Sequence, residues 1–331
     1  MTSPALDTIR TESLGVLASL TTPGERVALL DFPSHQNAGD SLIYMGEMEY
    51  FSKLGVKVAY ISDIHRHDKK TLREKIGDGT IFLHGGGNFG DRWPEFQQFR
   101  DDLVATYHEN RIIALPQSME YQNKEALAQT QKAYESHPNL TLMMREDRSL
   151  HEAQRAFQNT EVIFCPDLAL GARISQVTKP AQYSAVKLMR MDSERIQREP
   201  IKTQTFTPQY DWGLTGLDQK QWKLIRTPGR LASLFPSCSR VLYPALERSY
   251  SMQADLNLKA AKQTLAQGEI VITDRLHAAV LGALLGSPVI ALDNSYGKIS
   301  SIFDAYLHRI PNIFYAATTQ DAERKYSELR K

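Results

Sequence analysis

The segment ITDRLHAAVLGALLG, residues 272–286, places an arginine and a histidine at the start of an apolar stretch. The pattern predicts a strand that ends at Asp274 and a helix that opens with Arg275 and His277. The first turn of a helix has unpaired N–H groups and a positive dipole, and a guanidinium group fits phosphate or carboxylate. Histidine donates or accepts protons near neutral pH. The segment therefore predicts anion binding by Arg275 and acid–base chemistry by His277.

Two further arginines, Arg145 and Arg190, directly follow apolar segments that are predicted to be strands. The carboxyl ends of parallel strands meet at one edge of a sheet, so we expect both arginines near Arg275. Such a set favours a small, highly anionic ligand over a polymer such as nucleic acid. Tyr296 and Lys298 follow another predicted strand and are expected close to the same edge.

The glycine-rich segment LHGGGNFGD matches the spacing G-x-G-x-x-G, which is typical of dinucleotide sites. It follows the third predicted strand instead of the first, and the next strand ends in LPQ with no acidic residue for a ribose. Both facts disfavour a dinucleotide and hence a dehydrogenase. A glycine backbone still lets N–H groups reach an anion or sugar hydroxyls, although a tight strand-to-helix turn is the alternative. The predicted binding residues are Gly85, Gly86, Gly87 and Asn88.

The segment SHQNAGDSLI follows the first predicted strand and places Asn37 and Asp40 at the same edge. Asp40 is a candidate for acid–base work, and a helix cap is the alternative. Four histidines also lie near strand ends, but no i, i+4 pair or carboxylate triad accompanies them, so we predict no metal site. They are His35, His65, His67 and His84.

The elements that position these residues alternate between strand-like and helix-like segments, which predicts parallel sheets covered by helices. We expect two Rossmann-like parallel-sheet domains that face a cleft, residues 1–175 and residues 176–310. Residues 311–331 are expected to form a last strand and helix that packs back on the first domain. The pattern predicts a strand at RVLYPA, residues 240–245. It predicts a long loop over 193–216, whose Tyr210 and Trp212 either stack on a sugar or lie on the surface.

Composition limits the class of protein. The 331 residues carry a formal net charge of +1, which argues against bulk binding to nucleic acid or to an anionic membrane. Two distant cysteines, Cys165 and Cys238, suit a reducing compartment. Charged residues interrupt the N-terminal segment, and no apolar run is long enough for a membrane-spanning helix, so a cytoplasmic protein is expected.

In these segments the chain resembles the polysaccharide pyruvyl transferase family. The matching segments, within about residues 25–305, are QNAGDSLI, LHGGGNFGD, REDRS, CPDLAL, DRLHAAVLGALLGSPVIAL and SYGKISS. The resemblance implies transfer of a pyruvyl group from phosphoenolpyruvate to a hydroxyl pair of a hexose, which makes a cyclic ketal and releases phosphate. It also implies a two-domain fold like that of the GT-B glycosyltransferases, and the scheme needs no metal or redox cofactor.

The resemblance also implies roles for the residues above. His277 is the first acid–base candidate and Asp40, from the opposite domain, is the second. Phosphoenolpyruvate carries a phosphate and a carboxylate, which suits a cluster of arginines. The expected phosphoenolpyruvate-binding residues are Arg275, Arg145, Arg190, Leu276 and Lys298. The expected acceptor-side residues are Asn37, Gly85, Gly86, Gly87, Asn88 and Tyr296.

The implied acceptor is a hexose of an exopolysaccharide precursor, and a lipid-linked acceptor would bring the enzyme to the inner face of the cytoplasmic membrane. Residues 4–20 and the C-terminal helix are candidate membrane contacts, although packing against the core is the favoured role for both. Two rivals stay open. One is a GT-B-type glycosyltransferase with a nucleotide-sugar donor, and the other is a non-catalytic protein that binds sugars or anions.

Overall fold

The computed structural model describes residues 3–177, 180–192, 196–203, 205–235, 239–293 and 297–331. Two α/β units follow one another along the chain. The first contains α1 (Pro4–Leu20), β1 (Arg26–Leu30), α2 (Ala38–Lys53), β2 (Lys57–Ser62), α3 (Lys69–Ile76), β3 (Ile81–Leu83), β4 (Gly86–Gly90), α4 (Pro94–Thr106), β5 (Ile112–Glu120), α5 (Lys124–Glu135), β6 (Leu140–Met144), α6 (Asp147–Ala156) and β7 (Glu161–Phe164).

The second unit contains β8 (Tyr183–Leu188), β9 (Gln209–Tyr210), α7 (Gly216–Ile225), α8 (Thr227–Leu234), α9 (Ser239–Leu265), β10 (Gly268–Thr273), α10 (Leu276–Leu284), β11 (Val289–Leu292), α11 (Lys298–Ala305), β12 (Ile313–Ala316) and α12 (Thr319–Leu329). None of the helices in the described ranges combines the length and the hydropathy needed to cross a bilayer.

Both units are built on parallel sheets, as the alternating pattern predicts. The first sheet has the order β2-β1-β3-β5-β6-β7, and β4 pairs with β5 beyond the end of β3. The second sheet has the order β12-β11-β10-β8-β9. All the paired strands run parallel, and the strands are mostly apolar because helices cover both faces of each sheet. The predicted fold class is therefore confirmed.

The core is continuous between the two units. Leu42 and Ile43 of α2 lie in the same cluster of buried apolar side chains as Leu276 and Val280 of α10. Helix α9 also crosses from the second unit to the first, where the hydroxyl of its Tyr243 accepts the N–H of Ile61 at the end of β2. These contacts hold the carboxyl ends of the two sheets close together.

Two elements differ from the sequence-based expectations. The RVLYPA segment, predicted to be a strand, is part of α9, where Tyr243, Leu246 and Tyr250 are buried at helical spacing and Pro244 is tolerated within the second turn. The Gly-rich segment, predicted to be a loop, includes the strand β4. Glycine is needed there because a Cβ on Gly90, whose φ is +145°, would overlap the carbonyl group of Glu120.

The C-terminal segment lies in the second unit. Strand β12 pairs with β11 at the edge of the second sheet, and α12 packs against β11 and β12. The expected return of residues 311–331 to the first domain is therefore not what the structure shows. The reason is that β11 exposes a free sheet edge that Ile313–Ala316 completes with parallel hydrogen bonds.

Candidate active site

A cavity of about 520 Å³ lies between the two units. The residues that line it belong to β4 or follow β1, β4, β8, β9, β10 and β11, so carboxyl ends of strands from both sheets contribute to it. This is the position at which parallel α/β sheets bind ligands. The cavity contains most of the residues that the sequence pattern singled out, which are His35, Asn37, Asp40, Gly87, Asn88, Arg190, Arg275, Leu276, His277 and Lys298.

His277 is held by a carboxylate from the first unit. Its Nε2 lies 3.2 Å from Oδ2 of Asp167, and the same oxygen accepts a hydrogen bond of 2.6 Å from Nη1 of Arg145. The other oxygen of Asp167 accepts the N–H of Ala169. Arg145 and Asp167 are buried, and Arg145 has no exposed surface, whereas the side chain of His277 is 11% exposed. Asp167 is not among the residues predicted from the sequence, although its position directly after β7 in the CPDLAL segment was the available signal.

Burial alone would raise the pKa of Asp167, but the charges of Arg145 and His277 hold it well below its usual range. The carboxylate is therefore ionised and accepts a hydrogen bond from the Nε2–H group of His277. The Nδ1 atom of that ring faces the start of α2, where a Cβ on Gly39 would stand 2.7 Å from it. Nδ1 is therefore the ring nitrogen that Asp167 does not contact.

Two cavity-lining arginines of the second unit, Arg190 and Arg275, share one carboxylate partner. Nη2 of Arg275 lies 3.0 Å from Oδ2 of Asp192, which also accepts a hydrogen bond of 3.0 Å from Nη2 of Arg190. Nε of Arg275 donates to Oδ1 of Asp211 at 2.5 Å. The backbone N–H of Arg190 donates to Asp274, which orders the strand end. The carboxylates of Asp192 and Asp211 thus occupy positions around these guanidinium groups that the oxygen atoms of a bound anion would take.

Arg145 lies across the cleft from that pair, behind Gly87. Its Nε donates to Ser118, but its buried Nη2 has no hydrogen-bond partner among the described residues. A Cβ on Gly87 would lie 2.8 Å from this Nη2 and would overlap Nζ of Lys298. A guanidinium N–H and an ammonium group therefore approach the same glycine, whose backbone lines the cavity. An unpaired buried donor of this kind indicates room for an anionic ligand.

Asp40 lies in the first turn of α2 and is tied to its neighbours on the loop. Its Oδ2 accepts a hydrogen bond of 2.7 Å from Nδ2 of Asn37 and lies 3.5 Å from Nε2 of His35. Asn37 is the N-cap of α2, since its Oδ1 accepts the N–H of Gly39. Burial alone would raise the pKa of Asp40, but nearby positive charges, led by that of His35, lower it. The group is thus a carboxylate at neutral pH.

Gly85 and Gly86 do not line the cavity. Side chains packed against the Gly-rich segment hold it in place. Glu47 of α2 accepts the N–H of Gly85 at 2.9 Å and pairs with Nδ1 of His84 at 2.8 Å. Asn88, which does line the cavity, accepts a hydrogen bond of 2.6 Å from Nη2 of the buried Arg100. These contacts present the backbone of Gly87 and Asn88 to the cavity in a fixed conformation.

Aromatic side chains form part of the cavity wall. Trp93 and Phe96 come from the first unit and Trp212 from the second. Tyr210, the other aromatic residue considered in the predicted loop, instead donates a hydrogen bond from its hydroxyl to Gln267 and packs against the apolar cluster that the two units share. Tyr296 was expected near Lys298 but lies outside the described residues.

Within the described ranges, no group of three or more His, Cys, Asp or Glu side chains is arranged to hold a metal ion. The histidines that stand near strand ends have other partners. His84 pairs with Glu47, and Nε2 of His67 lies 2.6 Å from the hydroxyl of Tyr107. Burial lowers the pKa of His67 to about 4, so this ring is neutral at physiological pH.

The fold and the site define a two-sheet α/β protein whose cleft contains a histidine together with arginine and lysine side chains. The sequence profile of the polysaccharide pyruvyl transferase family matches residues 37–296, and the chain belongs to that family. Family membership indicates a transferase.

Known relatives agree with this assignment. The chain is 31% identical to pyruvyl transferase 1 of Schizosaccharomyces pombe (strain 972 / ATCC 24843) over 86% of this chain and 70% of that protein. It is 28% identical to EpsO of Bacillus subtilis (strain 168), provisionally named a pyruvyl transferase, over 91% of both chains. A crystal structure of an uncharacterised protein from Klebsiella pneumoniae subsp. pneumoniae NTUH-K2044 has the same fold, with a TM-score of 0.59, 18% identity, and coverage of 94% of this chain and 98% of that chain.

Proposed function

We propose that this protein transfers a pyruvyl group from phosphoenolpyruvate to a pair of hydroxyl groups on a hexose of a polysaccharide precursor. The product is a cyclic ketal, and inorganic phosphate is released. The observation that carries the proposal is the Asp167–His277 pair in a cavity that also contains Arg275, Arg190 and Lys298. A proton-exchanging ring beside several cations is what an enol phosphate donor requires.

The cations divide into two groups that match the two ends of the donor. Arg275 and Arg190 converge on one carboxylate, Asp192, from the second unit. Arg145 and Lys298 converge on Gly87 from the other side. Phosphoenolpyruvate has a phosphate and a carboxylate a few ångströms apart, and each group of cations fits one of them. Leu276 lines the same cavity.

The chemistry consists of an addition followed by a displacement. In the first step, His277 gives a proton to the methylene carbon and the oxygen of one sugar hydroxyl bonds to C2, while that hydroxyl loses its proton to Asp40. In the second step, the second hydroxyl bonds to C2 as the bond from C2 to the phosphate oxygen breaks, and its proton leaves with the phosphate. Asp40 then releases to solvent the proton it took, and His277 takes up a proton from solvent. Asp40 is the proposed base because it is a carboxylate that lines the cavity, as His277 does.

The acceptor fits the first unit and the aromatic wall. The backbone of Gly87 and Asn88 offers hydrogen bonds to hydroxyl groups, and the rings of Trp93 and Trp212 offer apolar faces for the C–H side of a sugar. Asn37 lies beside Asp40 and is close enough to share the same hydroxyl. We propose a hexose of a lipid-linked precursor as acceptor, which would bring the protein to the inner face of the cytoplasmic membrane.

The test is acceptor-dependent release of phosphate from phosphoenolpyruvate with a panel of hexosides. His277→Ala and Arg275→Ala are expected to abolish release, because they remove the proton donor and an anion contact. His108→Ala and Arg324→Ala are the matched controls, since both residues are exposed and lie outside the cavity. Tight binding of a nucleotide sugar, with no phosphate release for any acceptor, would instead favour a GT-B-type glycosyltransferase.

A further inference from the structure

An exposed apolar surface lies on the consecutive helices α7 and α8 and the start of α9. We call it the α7–α8 face. Its members are Leu217 (79% exposed), Leu224 (73%), Leu231, Leu234 (71%), Phe235 and Val241 (81%). Single exposed leucines are ordinary, but six large apolar side chains within one segment of 25 residues are not. The opposite sides of α7 and α8 bury Trp222, Ile225 and Ala232, so the outward residues are not needed for packing.

Basic side chains accompany these apolar residues. Lys220, Lys223 and Arg230 are all exposed on the same two helices. The acidic residue of α7, Asp218, is already paired with Lys259 at 3.3 Å. An apolar surface with interleaved lysine and arginine is the pattern of helices that lie in the headgroup region of an anionic membrane.

The α7–α8 face is connected to the mouth of the cavity. Trp212 and Gly213, just before α7, line the cavity. Gln36, another lining residue, donates from Nε2 to Gln219 of α7 at 2.7 Å and accepts the N–H of Leu214. Helix α7 therefore begins at the rim of the opening through which an acceptor enters.

We propose that the α7–α8 face docks the protein on an anionic lipid bilayer, with its apolar side chains inserted at the level of the headgroups. A second copy of this chain fits less well, because a two-fold interface would bring Lys220, Lys223 and Arg230 against the same cations of the partner. The structure does not favour residues 4–20 or the C-terminal helix for this role. Helix α1 buries Leu6, Ile9, Leu17 and Leu20, and α12 buries Ala322 and Tyr326.

The test is co-sedimentation of the full chain with vesicles of equal parts phosphatidylglycerol and phosphatidylcholine, and with vesicles of phosphatidylcholine alone. We expect binding to the anionic vesicles that weakens in high salt. Leu224→Ser/Leu234→Ser and Lys220→Glu/Lys223→Glu should each lower the partition coefficient about tenfold. Two controls accompany these variants. Lys124→Glu/Lys132→Glu makes the same change of charge on α5. Phe206→Ser is the control for Phe235→Ser, because Phe206 is 75% exposed but lies outside the α7–α8 face.

Absence of wild-type binding to anionic vesicles, or equal loss in the control variants, would overturn the proposal. A dimer in sedimentation equilibrium that Leu224→Ser/Leu234→Ser dissociates would assign the face to a second copy instead. The link to the acceptor rests on the proposed function, and phosphate release with a water-soluble hexoside tests that separately. The α7–α8 variants should retain this phosphate release. If the proposed function is wrong, neither the wild type nor any variant will release phosphate, and the vesicle result can still be interpreted.

Discussion

Nε2 of His277 lies 3.2 Å from Oδ2 of Asp167, although the two residues are 110 positions apart and belong to different sheets. The contact joins a helix start of the second unit to a strand end of the first. It places the proton of the neutral ring on Nε2 and leaves Nδ1, which faces the start of α2, out of contact with Asp167. The proposed proton donor is thus correctly oriented only when the two units are docked together.

Replacement of Asp167 by asparagine should lower the turnover number for phosphate release by about 10³-fold or more, because the ring loses the acceptor that sets its tautomer. The same change leaves the buried guanidinium of Arg145 without its ion pair, so the free energy of unfolding should fall by about 3–5 kcal/mol. Steady-state kinetics and urea denaturation measure the two effects separately.

The matched control for that variant is Asp63→Asn. Asp63 also pairs with an arginine, Arg66, in a buried position, but it does not line the cavity. The free energy of unfolding of Asp63→Asn should fall by a similar amount. At urea concentrations below its unfolding transition, this variant should keep full turnover. Equal loss of turnover in both variants would mean that stability, and not orientation of His277, explains the effect of Asp167→Asn.

Gly87→Ala should raise the KM for phosphoenolpyruvate more than tenfold and change the turnover number little, because the added Cβ would occupy the space where Arg145 and Lys298 converge. The cost in folding should be small, since the long side chain of Lys298 can move aside. Gly15→Ala is the control. Gly15 is exposed in α1, and a Cβ at that position would have no atom within 4 Å, so alanine there should leave KM unchanged and stabilise by about 0.5–1 kcal/mol.

The parallel sheets and most of the cavity residues were predictable from the sequence, and the reason is geometric. Apolar strands alternate with helices, and a residue that directly follows a parallel strand lies at one shared edge whatever the details of packing. Arg190, Arg275 and His277 follow this rule. Arg145 follows it as well, but the structure places it behind Gly87 and joins it to His277 through Asp167.

The unpredicted features depend on contacts between distant segments. The apolar run with Pro244 suggested a strand, whereas the packing of Tyr243 and Tyr250 on the first unit makes the segment part of α9. Asp192 and Asp211 were not selected because their pairing with Arg275 joins positions 83 and 64 residues apart. Local patterns contain no information on such pairs.

Asp192→Asn and Asp211→Asn should each strengthen the binding of phosphoenolpyruvate about three- to tenfold. In the free protein both carboxylates contact the guanidinium of Arg275, and a ligand anion has to replace them. Isothermal titration calorimetry measures the change. Asp321→Asn, which alters an exposed pair with Arg324 on α12, is the control with the same change of charge. Weaker binding in both cavity variants would show that the carboxylates orient the arginine instead of competing for it.

Asp101→Asn should stabilise the protein at neutral pH and not at acidic pH. Burial raises the pKa of Asp101 to about 6, despite hydrogen bonds from Gln97 and Thr130. Since the folded protein holds this proton more tightly than the unfolded chain, whose aspartate pKa is about 3.9, the wild type loses stability as pH rises from about 4 through 6. Asparagine does not ionise, so the variant escapes that loss and should gain about 1–3 kcal/mol at pH 7 and above. Urea denaturation of both proteins near pH 4 and pH 7.5 measures the difference, and a gain of equal size at both pH values would rule out ionisation of Asp101 as its cause.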